Sequence, residues 1–156
     1  MFKSRQMVSM MAATLILTAG VARVVAQEPT HPAHEGPSVS IPADQIKFLH
    51  SGLKTDKGEL LAGPAYGDMQ HGRHGTFLRM PHGFVSPAHS HTEDYYAVVI
   101  EGVGSNHPPG AKPVPLPVGS YWFQKGEEAH VTQCLSETDC LFFLVQPGKF
   151  DFVPAK

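Results

Sequence analysis

No stretch of this chain holds a helical apolar period, no segment repeats, and beyond the first 26 residues no apolar run is long enough to cross a bilayer. The first absence points away from helices and towards strands, and the second excludes a solenoid or a two-barrel protein. Positive charge is scarce as well. Three of the 12 Lys and Arg (Lys3, Arg5 and Arg23) fall in the first 26 residues, which hold none of the 14 acids. The remainder therefore carries 9 basic against 14 acidic residues, a net charge of −5 with His neutral. Such a balance offers nothing to attract nucleic acid. At 156 residues the chain suffices for one domain with a real core and is too short for two ordinary ones.

The N-terminus has the pattern of an export signal. Lys3 and Arg5 precede the apolar run Met7 to Val21, and Val24-Val25-Ala26 supplies a small-x-small cleavage site. Cleavage after Ala26 leaves a mature protein in the periplasm or secreted, with no remaining membrane attachment. An uncleaved anchor is the alternative, although the run is short for a span and is interrupted by Thr and Gly. Residues 27–42 hold four prolines, a glycine, His31 and His34 with almost no apolar periodicity, which reads as a disordered leader. The folded domain is expected over 43–156.

From Ile41 onward, short apolar runs are broken by Gly, Pro and Asp, an all-β pattern. The expected strands are 46–49, 60–62, 76–80, 95–101, 119–124, 129–134, 141–146 and 150–153. The segment 102–118 carries prolines at 108, 109, 113, 115 and 117, which remove backbone donors, so it reads as a stiff connection without a central strand. Tyr95 to Ile100 and Leu141 to Val145 are apolar at successive positions rather than alternate ones, so both faces of these strands need cover. The barrel interior covers one face. A second sheet layer or a partner subunit covers the other, and a homodimer is expected. The cysteines, Cys134 and Cys140, flank a polar turn from which a hairpin sets them within bridging distance; a disulfide and a pair of buried thiols both remain open.

All ten histidines lie beyond residue 26, a high density for a small domain. His89 and His91 are two apart, so on a strand their imidazoles project to the same side. His130, at the start of a later expected strand, is positioned to join them. Three neutral imidazoles make an open site for one divalent transition metal, iron or zinc foremost and manganese next. His71 and His74, on a Gly-rich turn, are read as solvent-facing, with a supporting ligand role left open. His50, His82 and His107 lack a partner at ligand spacing.

Gly83 stands six residues before His89-x-His91, Gly102 closes that segment, and Gly119 stands eleven residues before His130. With Tyr66-Gly67-Asp68, Pro81-His82-Gly83 and Gly119 to Gln124, these spacings resemble the cupin superfamily, in particular the small exported cupins similar to the ChrR-like and DUF4437 groups. The resemblance covers 46–153 and implies a jelly-roll-like antiparallel β-barrel with a metal near its wider mouth. Two departures stand out. Tyr95 occupies the place of the glutamate usual in the first motif, which leaves a three-histidine site with Glu93 as a poorly placed carboxylate. In the second motif Glu127 stands where glycine is expected; a left-handed backbone strains Glu, so the turn 125–129 is expected to bend differently.

Tyr95 is accordingly a candidate catalytic residue, able to donate to a metal-bound ligand or an oxyanion, or else a core tyrosine with a satisfied hydroxyl. Arg79 on the preceding strand either orients an anionic ligand or sits outside in an ion pair. The functional expectation is a metalloenzyme acting on a small organic substrate. Iron suits dioxygenase chemistry, which the resemblance favours, whereas zinc or manganese suits isomerase, lyase or hydrolytic chemistry. The competing expectation is a non-catalytic cupin that captures a metal or a small ligand.

Overall fold

The computed structural model describes residues 37–155. The expected signal peptide and most of the expected leader lie outside them. Residues 37–42 are exposed and without regular structure, and one 3-10 turn, Ala43–Gln45, leads into the strands. Among the described residues no helix is long and apolar enough to cross a membrane.

Ten strands follow: β1 Leu49–Thr55, β2 Gly58–Gly67, β3 His74–Met80, β4 His89–Ser90, β5 Tyr95–Glu101, β6 Gly104–His107, β7 Tyr121–Gln124, β8 Val131–Cys134, β9 Cys140–Gln146 and β10 Val153–Pro154. Six of them form one sheet in the order β1-β2-β3-β9-β5-β7, while β10 pairs with β4 and β6 with β8. Every pairing is antiparallel, the jelly-roll-like barrel that the resemblance implies. Alternation sets what faces inward. On β5, Tyr95, Ala97 and Val99 are buried, and on β9 so are Phe142 and Leu144; with Met80, Phe84 and Trp122 they form the core.

The structure departs from the expected strands in several places: β2 covers Gly58–Gly67 rather than 60–62, and β4 is an additional short strand. The first strand begins at Leu49 rather than Ile46 and runs to Thr55. The last regular pairing begins only at Val153, because the backbone of Phe150 and Asp151 is engaged elsewhere. The segment 102–118 also contains a strand after all. β6 precedes the first of the prolines, so its amides remain free to pair with β8, and its other edge meets only the isolated Gly104–Leu116 bridge.

Cys134 and Cys140 form a disulfide with their Cα atoms 5.7 Å apart. They are not opposite residues of a hairpin. β8 belongs to the small sheet and β9 to the large one, so the bridge ties the two sheets together across the turn. Gly102 (φ 77°) lies against it; a Cβ there would stand 2.6 Å from Ser136 Oγ and 2.9 Å from Cys140 Sγ. The outward face of the large sheet has no such cover. Tyr96, Val98, Ile100, Tyr121 and Phe123 are all exposed, with Tyr96 set against Tyr121 and Phe123.

A candidate metal centre of three histidines

His89 and His130 meet through backbone pairing. The amide of His89 donates to the His130 carbonyl at 3.0 Å and the amide of His130 returns the bond at 2.8 Å, an isolated antiparallel bridge. Directly opposed residues carry their side chains on one face of the sheet, so the two rings stand together with centroids 4.3 Å apart. His91, two residues further, returns to the same face, 4.9 Å from His89 and 5.2 Å from His130. All three side chains are buried, and one nitrogen from each lies within 4.8 Å of the other two.

The second nitrogen of each ring decides which one faces the centre. Nδ1 of His89 donates to the Pro87 carbonyl at 2.8 Å, Nδ1 of His130 to the Glu128 carbonyl at 3.2 Å, and Nδ1 of His91 to the Asp151 carbonyl. A carbonyl only accepts, so each Nδ1 carries the proton and each Nε2 keeps its lone pair. Such outer partners are what fix the tautomer and orientation of metal-ligating imidazoles. Burial pushes His89 down to about 4 and His130 down to about 3, and it lowers His91 too; the neighbouring imidazole adds to the shift at His89 and at His130. The rings are therefore neutral at physiological pH, the form that binds a metal. The donor set fits a divalent transition ion.

Tyr95 opens β5 facing inward, and its hydroxyl lies 3.3 Å from Nε2 of His130 while accepting from Trp122 Nε1 at 3.3 Å. Burial pushes the phenol up to about 12, so it stays protonated and acts as a donor. Glu93 is exposed and packs against Gly148, away from the histidines. His71 is exposed and bonded to Asp68, as its turn predicts. His74 is not solvent-facing: it opens β3 buried between Thr76 Oγ1 and Gln146 Oε1, outside the three-histidine cluster. Arg79 lies over the Phe48 ring at 4.7 Å, and among the described residues it forms no ion pair and does not line the pocket.

The second-motif turn corrects the expectation drawn from its sequence. Glu127 keeps the left-handed backbone (φ 64°) that a glycine would adopt there. The surrounding bonds over-determine it: its amide donates to the His91 carbonyl at 2.7 Å, and the Gly126 amide donates to Asp94 Oδ1 at 2.7 Å. The turn thus holds the backbone of His91 from one side and leads into His130 on the other.

Sequence reasoning missed the C-terminal segment that roofs the site. Phe152 stacks on His89 (centroids 4.3 Å, planes 16° apart) and Phe150 packs on His91 at 4.8 Å. The Asp151 carboxylate accepts from the Thr92 amide and hydroxyl, at 2.9 and 2.5 Å. Below this segment lies a cavity of about 40 Å³ floored by Met80, Trp122, Phe142 and Leu144. The alternation of Phe150 and Phe152 was visible in the sequence, but nothing there tied it to residues some sixty positions earlier.

Residues 41–156 match the family described as Domain of unknown function (DUF4437). No curated protein sequence matches the chain. Among solved structures, the chain is similar to the polyketide cyclase RemF from Streptomyces resistomycificus, at 15% identity and a TM-score of 0.62, covering 77% of this chain and 87% of that one. A predicted oxalate decarboxylase from Thermotoga maritima matches at 23% identity and a TM-score of 0.59, covering 70% and 99%. An RmlC-like cupin protein from Ralstonia eutropha matches at 15% identity and a TM-score of 0.58, covering 74% and 72%. At these identities the likeness is one of fold, and that fold is the cupin barrel. The chain belongs to the DUF4437 family, and its folded part is a small cupin domain.

Proposed function

We propose that this protein is an exported metalloenzyme in which His89, His91 and His130 hold one divalent ion, iron or zinc foremost and manganese next, beside a pocket for a small organic substrate. The observation that carries the reading is the convergence of three neutral Nε2 atoms, each with its Nδ1 anchored to a backbone carbonyl. A bound ion supplies Lewis acidity and, if iron, dioxygen chemistry, which is the reaction type we favour. The protein's own part is to orient and to donate. Were Nε2 of His130 engaged as a ligand, the Tyr95 hydroxyl that now lies against it would be free to donate to a substrate oxygen, with Trp122 holding the phenol in place. The buried apolar floor keeps water from competing.

Metal analysis of anaerobically purified protein beside His130→Ala, followed by oxygen uptake with small diketones and phenols, tests this. Equal metal content in the two proteins removes the site. A specific observation favours a second reading, a binding module without catalysis: among the described residues no carboxylate lines the pocket, and the only phenol there stays protonated far above neutral pH. Bound metal without turnover across oxygenase, lyase and hydrolase panels selects that reading.

Export and dimerisation are part of the same proposal. Intact-mass measurement of protein recovered outside the cytoplasm is expected to show a chain beginning at Gln27. The exposed apolar residues of β5 and β7 support a homodimer through the outer sheet face. A monomer at micromolar concentration in light scattering removes that idea.

A further inference from the structure

The walls of the pocket differ from its metal-facing end in a way that restricts the substrate. Beyond the imidazoles of His89 and His91, the Tyr95 hydroxyl and the Trp122 indole N–H bonded to it, the polar side chains lining it are Ser86 and Thr132, and both lie at the histidine end, with Ser86 Oγ 3.5 Å from His89 Nδ1. Ser86 Oγ accepts from the Thr132 amide at 2.9 Å, and Thr132 Oγ1 donates to Asn106 Oδ1 at 2.9 Å. No Lys, Arg, Asp or Glu lines the pocket among the described residues. The half-buried residues of its lining are Leu53, Leu78, Phe150 and Phe152.

We infer that Phe150 and Phe152 are specificity-determining residues, selecting substrates that present one oxygen donor group to the histidine end and an otherwise apolar body to these rings. This rests on the metal-site reading above. A single anionic or neutral donor is satisfied at the imidazole end by the ion and Tyr95. A second charge or a set of hydroxyls is left against phenylalanine and leucine with no partner, which is costly in a dry site. Dicarboxylates, zwitterions and sugar acids are shut out on that ground.

Size leads to the same two residues. The cavity of about 40 Å³ is far below the roughly 150 Å³ of an apolar cavity that takes up benzene. The floor residues are buried and fixed within the sheet, whereas Phe150 and Phe152 are half-exposed and sit outside the regular strands. A substrate ring enters as these two side chains turn outward, and it replaces their contacts with His89 and His91 by its own.

The matched pair of benzoate and terephthalate tests this directly, because they share ring and donor and differ only in a second carboxylate at the far end. Trp122, the sole tryptophan, lines the pocket and reports binding by its fluorescence. In zinc-loaded protein, benzoate is expected to bind saturably and terephthalate at least about tenfold more weakly. Phe152→Lys, which places a cation in the lining, is expected to reverse the preference, and Phe150→Ala to admit bulkier monocarboxylates such as 2-naphthoate. Equal affinity for the pair overturns the inference, as does no binding of either by the zinc-loaded protein. Zinc content, measured on the same samples, separates these results from failure of the metal site itself. The wild-type comparison stands even where a variant does not fold.

Discussion

β8 connects two contrasting regions. One residue before its start, His130 stands in a cluster of buried imidazoles; at its end Cys134 is bridged to Cys140. The disulfide end is closed, with both cysteines buried and a glycine fitted against the bridge. The histidine end keeps three lone pairs turned inward, tolerates a left-handed glutamate, and is roofed by side chains rather than by a covalent link. The covalent cross-link lies at one end, whereas backbone strain and buried titratable groups lie at the other, where a ligand is proposed. This is the usual distribution of stability and function in a fold.

The largest expected effect breaks the histidine end alone. Structural zinc sites bind with about 10–16 kcal/mol, so one ligand of three carries roughly 4 kcal/mol. His130→Ala is therefore expected to weaken zinc binding about 1000-fold in a chelator competition. An unchanged affinity shows that the imidazoles are structural.

A pH change distinguishes the two ends next. In the folded metal-free protein His89 lies near 4 and His130 near 3, below the ordinary value of about 6.5 that the unfolded chain takes. The unfolded state then binds more protons as pH falls, so the stability present above about pH 6.5 is lost progressively down to the folded values. At up to about 1.4 kcal/mol per pH unit for each ring, denaturant titrations are expected to show a loss of about 3 kcal/mol between pH 7 and pH 5. A flat profile contradicts the burial of neutral rings.

The disulfide end is expected to answer in the opposite way. Replacing both cysteines by alanine removes a short-loop cross-link worth about 2 kcal/mol. The denaturation midpoint should fall while zinc affinity holds within about twofold, since the bridge touches none of the ligand anchors. A large loss of zinc affinity instead shows that the two ends are coupled through β8.

The smallest effect sharpens the contrast. Glu127→Gly relieves a left-handed backbone, so a gain of about 1 kcal/mol is expected in the denaturation midpoint, with the amide bond to His91 kept. A loss of stability shows that the glutamate side chain contributes more than its backbone costs.

The histidine pair was legible because a strand has a side-chain period of two, so His89 and His91 share a face whatever pairs beside them. Tyr95 followed by the same parity. His74 was misread because a Gly-rich turn suggests solvent, whereas its antiparallel partner Gln146, 72 residues away, draws it inside. Glu127 was misread because propensity favours glycine there, and hydrogen bonds to distant carbonyls and carboxylates override propensity. The proline-rich segment concealed β6, whose pairing depends on β8 some 25 residues further along.

By itself the sequence determined what is local: an all-β pattern and which histidines share a side of the chain. Tertiary structure alone decided what depends on register between distant segments. It opposed His130 to His89, turned every Nδ1 to a carbonyl so that the Nε2 atoms converge, and laid Phe150 and Phe152 over the result. Alternation follows from backbone geometry at each residue, but the pairing of segments forty to sixty positions apart is set by the burial of the whole core.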